Sequence, residues 1–167
     1  RRVKLEELEG FNTVEHLFDE ATGDHHENKG IESIAWDLTR DQFWLTKEWP
    51  RWLIGVSPDL TRVVGSTELT AELGYSHNST KDSELDISDM CVDPVARGLW
   101  FLSDKGQCVY LADASTLEVL QQFSLSYTRN GKLAEVDKPE GIAVSPDGDR
   151  LYIVSDSEAR LYVFAIH

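Results

Sequence analysis

Four carboxylates carry the chemistry this chain could do: Glu32, Asp86, Glu140 and Glu48. Glu32 and Glu140 stand at the same place in a recurring stretch, and Ser88 holds that place in a third copy. Asp86 lies two residues before Ser88, and Glu48 follows the second apolar run of the first copy. Asp104 and Asp156 occupy the matching corner of the other two copies, where aspartate is also favoured by turn chemistry alone. Carboxylates gathered at one point repel and raise each other's pKa unless a cation sits between them. The competing reading gives the two glutamates hydrogen bonds to neighbouring backbone and to water. Lys47, next to Glu48, is the candidate internal counter-ion.

Other reactive groups form no constellation. His16, His25, His26, His77 and His167 fall in loops or at a terminus, outside the recurring stretch. The His25-His26 pair beside Asp24 and Glu27 lacks the HxH or HxxxH spacing of a metal site and reads as a solvated loop. No Gly-x-Ser-x-Gly elbow and no phosphate loop is present. Cys91 and Cys108 fall on strands flanking a common neighbour, roughly 10 Å apart and beyond disulfide reach, so both read as buried free thiols. Asn78-Ser79-Thr80 fits a glycosylation sequon, a match short enough to arise by chance.

The elements that must position the carboxylates are strands. Residues 142–144, the breaker Pro146-Asp147-Gly148 and residues 151–154 read as strand, tight turn, strand, with a third strand over 160–164. Gly30 to Asp37, Gln42 to Thr46 and Trp52 to Val56 repeat this order, as do Asp86 to Pro94, Leu99 to Asp104 and Gln107 to Leu111. Fourth strands are available over 62–69 and 117–125. Glu32, Ser88 and Glu140 recur at roughly 50–56 residues, a period that marks propellers and solenoids. The expected fold is therefore all-β: a β-propeller of four-stranded antiparallel blades, over about 30–70, 86–125 and 140–167. The alternative is a β-sandwich of unrelated hairpins. Residues 1–29 read as the end of a preceding blade, with residues 1–9 as its last strand, followed by a connecting loop. Two long polar connections, 69–85 and 127–138, each enter a blade's first strand, on the face where propeller ligands usually bind. Trp36, Trp44, Trp49, Trp52 and Trp100 read as inter-blade packing, with Tyr152 matching Trp44 and Trp100.

Composition narrows the partners. The formal net charge is −14, which argues against nucleic acid and anionic membranes. No run of about 18 apolar residues spans a membrane. The chain opens Arg1-Arg2-Val3-Lys4 with neither Met nor a signal-peptide apolar run, and reads as an excised or processed piece.

Several segments resemble the SdiA-regulated family of β-propellers, distant relatives of NHL-repeat propellers. They are Asn28-Lys29-Gly30-Ile31-Glu32-Ser33-Ile34-Ala35-Trp36-Asp37, Leu45-Thr46-Lys47-Glu48-Trp49-Pro50, Asp86-Ile87-Ser88-Asp89-Met90, and Glu140 to Tyr162. The Lys47-Glu48 element is the most distinctive. The chain departs from the family at Ser33 and Asp89, where a glycine is usual. The resemblance implies a propeller of about five blades, three of them here, with calcium at a shared axial site. Calcium takes six to eight oxygen ligands, and Glu32, Glu140, Asp86 and Glu48 are the residues expected to supply them. The resemblance also suggests an extracytoplasmic, periplasmic setting, with an organelle or larger assembly as the other options.

Two functions follow as expectations. The first is a binding or scaffold module that engages a protein partner or the missing blades of the same protein. The second is a calcium-dependent hydrolase of lactones or phosphoesters, for which Glu48, Asp86 or His77 would have to act as base.

Overall fold

The computed structural model describes residues 30–77, 81, 85–95 and 98–167. The expected strand over residues 1–9, the His25-His26 loop and the Asn78 sequon lie outside them. Four strands build the first sheet: β1 (Ile31–Asp37), β2 (Gln42–Lys47), β3 (Trp52–Val56) and β4 (Val63–Glu68), paired in sequence order. The second repeats the order with β5 (Asp89–Val92), β6 (Gly98–Ser103), β7 (Cys108–Asp113) and β8 (Val119–Ser124). A two-stranded hairpin, β9 (Ser126–Arg129) and β10 (Lys132–Glu135), leads to a three-stranded sheet of β11 (Pro139–Val144), β12 (Arg150–Ser155) and β13 (Arg160–Ala165). Every pairing is antiparallel.

The sheets stack face to face around two cores. Trp44 and Leu53 of the first sheet meet Met90, Phe101 and Tyr110 of the second. Trp100, Leu102 and Val109 on the other face of the second sheet meet Ile142, Leu151 and Ile153 of the third. Apolar burial on both faces of β6 explains its run of six buried residues, where a one-sided sheet would alternate.

Ladder register shows that the sheets are copies. Trp44 pairs with Ala35, Trp100 with Cys91, and Tyr152 with Ala143. The indole nitrogens of Trp44 and Trp100 donate to buried Asp37 (3.1 Å) and Asp93 (2.9 Å). Both aspartates also cap the first turn of their sheet, Asp37 through Thr39 N and Arg40 N, Asp93 through Val95 N. Ser145 takes this place in the third sheet and accepts from Asp149 N and Arg150 N. Burial raises the Asp37 carboxyl, but hydrogen bonds from Trp44 and Arg40 outweigh it and hold the group below the usual range.

Some readings are corrected. The 127–138 connection is the β9–β10 hairpin, turned at Asn130 and Gly131, both with positive φ (53° and 74°), the backbone of a tight primed turn. Within the connection read as polar over 69–85, Leu69, Tyr75 and Leu85 are buried in the first core, with Tyr75 edge-on against Phe101 at 5.4 Å. Cys91 and Cys108 are free, but only Cys108 is fully buried. Of the tryptophans, Trp44 and Trp100 pack between sheets; Trp36 lies exposed, edge-on to Phe43. At the two departures from the family glycine, Ser33 bonds Thr46 through their hydroxyls, and Asp89 accepts from Ile142 N at 2.8 Å. That second bond ties the second sheet to the third.

Candidate axial cation site

The carboxylates sit where first strands begin and second strands end. Glu32 is the extra residue of a register shift between Ile31 and Ser33, and Glu140 of a matching shift between Pro139 and Gly141. A residue bulged out of the ladder is unpaired, and its side chain is re-aimed. Asp86 and Ser88 directly precede β5, while Glu48, Asp104 and Lys105 directly follow β2 and β6. All seven line one cavity of about 190 Å³. The four expected ligands, Glu32, Glu48, Asp86 and Glu140, are therefore brought together, and Asp104 joins them. Asp156 and His77 are not on that wall.

Among the described residues, five carboxylates and one ammonium line the cavity. Burial, then the nearby charges of Glu48 and Asp86, push Glu32 above the ordinary glutamate range. Glu140 is raised by burial, then by Asp104, Asp86, Asp156 and Glu32. Asp104 is raised by burial and by Asp86, against the opposing pull of Lys138 and Lys105. Asp86 is buried and fixed: its Oδ1 accepts from Ser103 Oγ (2.7 Å) and Lys105 N (3.1 Å). Its Oδ2 receives the Ser88 hydroxyl only at 3.5 Å. Ser88 Oγ in turn accepts from Asp104 N at 3.1 Å.

The cavity wall also carries a cation that the sequence reading did not name. Lys47 is buried as the last residue of β2, and the ammonium on the cavity wall belongs to Lys105. It reaches Glu48 at 3.6 Å and so bridges the first and second sheets. Sequence reading missed it because it comes from the next copy's turn, not from the residue beside Glu48. The bulges were equally hidden, since a register shift has no composition signal.

The donor set fits a hard cation in kind: carboxylate and hydroxyl oxygens with excess negative charge. Among the described residues, no three His, Cys, Asp or Glu side chains converge closely enough to hold an ion as they stand.

Repeated antiparallel meanders, stacked face to face with their first strands starting on one shared cavity, define an arc of a β-propeller. The chain belongs to the SdiA-regulated family, whose model matches residues 3–165. No curated protein matches. Among solved structures, a chain of the "Crystal Structure of Mitotic Checkpoint Complex" is similar with a TM-score of 0.56 at 11% identity, over 85% of this chain and 38% of that one. That likeness concerns the fold alone. The present chain spans well under half the length of that neighbour. No helix among the described residues is long and apolar enough to cross a membrane.

Proposed function

We propose that this chain is a propeller binding module that holds calcium in the axial cavity and presents its loops to a protein partner. The observation carrying the reading is the convergence of Glu32, Glu48, Asp86, Asp104 and Glu140 on one cavity where, among the described residues, Lys105 is the one ammonium. Fixed like charges raise the folded state's free energy unless protons or a cation neutralise them. A divalent oxygen-seeking ion relieves that repulsion at neutral pH, where few protons are available. Glu32, Glu140, Asp86 and Glu48 would hold the ion, with Asp104 as a further donor. The ion's role here is to tie the starts of successive blades together. The test is thermal melting in calcium and in chelator, beside hydrolysis assays with lactone and phosphoester substrates. A calcium-dependent rise in melting temperature without turnover is expected. Chelator-sensitive turnover would replace the binding module by the hydrolase reading, and the absence of any calcium effect would remove the ion.

A further inference from the structure

One side chain outside the cavity reaches the strand that carries Glu140. β5 and β11 are edge strands of their sheets, so the amides on their outer side have no ladder partner. Two of these amides are equivalent by register: Met90 pairs with Phe101 and Ile142 with Ile153, each one residue on from Trp100 and Tyr152. Both donate to Asp89, Met90 N to Oδ1 and Ile142 N to Oδ2, each at 2.8 Å. One carboxylate thus satisfies the matching amides of two successive sheets. Burial pushes that carboxyl above the ordinary aspartate range, against the pull of the two amides.

The second of these bonds fastens the bulge. Glu140 is the residue left out of the β11 ladder, between Pro139, paired with Ser155, and Gly141, paired with Val154. Before the bulge the chain is fastened to its own sheet: Asp137 O accepts from Ser155 Oγ, and Lys138 O from Asp156 N at 3.1 Å. After the bulge the fastening crosses to the second sheet, at Ile142 N, two residues from Glu140. The first junction is built differently. Ser33, the residue matching Asp89, bonds Thr46 of its own sheet, and β5 pairs with β6 in unbroken register. Asp89 itself is not among the residues lining the cavity.

We infer that Asp89 is a positioning residue for the axial site: through Ile142 N it fixes the β11 bulge and so keeps Glu140 on the cavity wall, without itself touching a cation. The use of Glu140 as a ligand rests on the calcium reading. Its being held among the other carboxylates does not.

The test is a double-mutant cycle of Asp89→Gly and Glu140→Gln, read with and without calcium. In chelator at pH 7, Glu140→Gln removes a like charge from the cavity and raises the melting temperature of the parent. In Asp89→Gly the released Glu140 already turns away from the other carboxylates, so the same substitution adds nothing. In calcium, calorimetric titration shows Asp89→Gly weakening binding about tenfold in the parent and less than about twofold in Glu140→Gln. Asp89→Asn keeps an oxygen for Ile142 N and restores calcium affinity to near the parent's. Trp100→Phe loosens the core between the same two sheets, yet leaves the chelator effect of Glu140→Gln intact, which separates positioning from a general loss of stability. Substitutions whose effects simply add, in either condition, overturn the inference. So does a parent whose melting temperature Glu140→Gln fails to raise. If the chelator cycle holds and the parent binds no calcium, the positioning role stands and the cation reading falls.

Discussion

Lys105→Met should tighten calcium binding, although it deletes a residue that lines the cavity. Among the described residues the ammonium is the one positive charge lining that wall, and it lies 3.6 Å from Glu48 Oε1. A cavity of about 190 Å³ is about 7 Å across if round. A unit charge and a divalent ion about 7 Å apart repel by about 1.2 kcal/mol in a water-like medium. That is about sevenfold in affinity. Half-exposure of Lys105 and salt near physiological strength trim it to roughly three- to sevenfold. The loss in stability is small, because an exposed pair of this kind contributes at most about 1 kcal/mol. Calorimetric titration of the parent, Lys105→Met and Lys105→Arg reads the effect, with Lys105→Arg expected to match the parent. Weaker binding in Lys105→Met would refute the reasoning, since the ammonium would then be organising the site and not competing for it.

Three further outcomes follow from the geometry. Trp100→Phe removes one donor from buried Asp93 and leaves space in the second core; a lost hydrogen bond of about 0.5–1.5 kcal/mol adds to the lost packing, so a denaturant melt should show a loss of at least about 1 kcal/mol. Gly106→Ala places a Cβ 2.8 Å from Leu85 Cδ1 and from Ser103 Oγ, the hydroxyl that donates to Asp86; a destabilisation of about 1–3 kcal/mol and weaker calcium binding are expected from melts and titrations. Glu32, Glu140 and Asp104 have folded pKa values above their ordinary ones, so without calcium the folded state binds more protons than the unfolded chain between the ordinary and the raised values. Their contribution to stability is present below the unfolded pKa and lost as pH rises through the folded one. Chelated protein should therefore gain melting temperature as pH falls from 7 toward 5, and the Glu32→Gln/Glu140→Gln double variant should gain less.

The repeat was legible because hairpin strands, breakers and acidic corners recur at one spacing, so Glu32, Ser88 and Glu140 could be aligned without a structure. Trp44, Trp100 and Tyr152 were matched on the same ground, and the ladders place them in one register. What depended on non-local contact was hidden. Lys105 reaches the cavity only because the second sheet stacks on the first. Leu69, Tyr75 and Leu85 are too irregularly spaced to show a period, yet tertiary packing buries all three. Asn130-Gly131 was a readable hairpin signal, obscured by the polar residues around it. Asp89 stands where the family has glycine, and its bond to Ile142 N across two sheets gives no local trace.

The most direct test is calorimetric calcium titration of the parent beside Glu32→Gln and Glu140→Gln, at pH 7 after chelator removal. One site is predicted in the parent, with affinity reduced at least tenfold in each variant and with a calcium-dependent melting shift that each variant loses. Parent-like calcium affinity in both variants, or no heat of binding in the parent, would contradict the account and leave the axial carboxylates as structural groups.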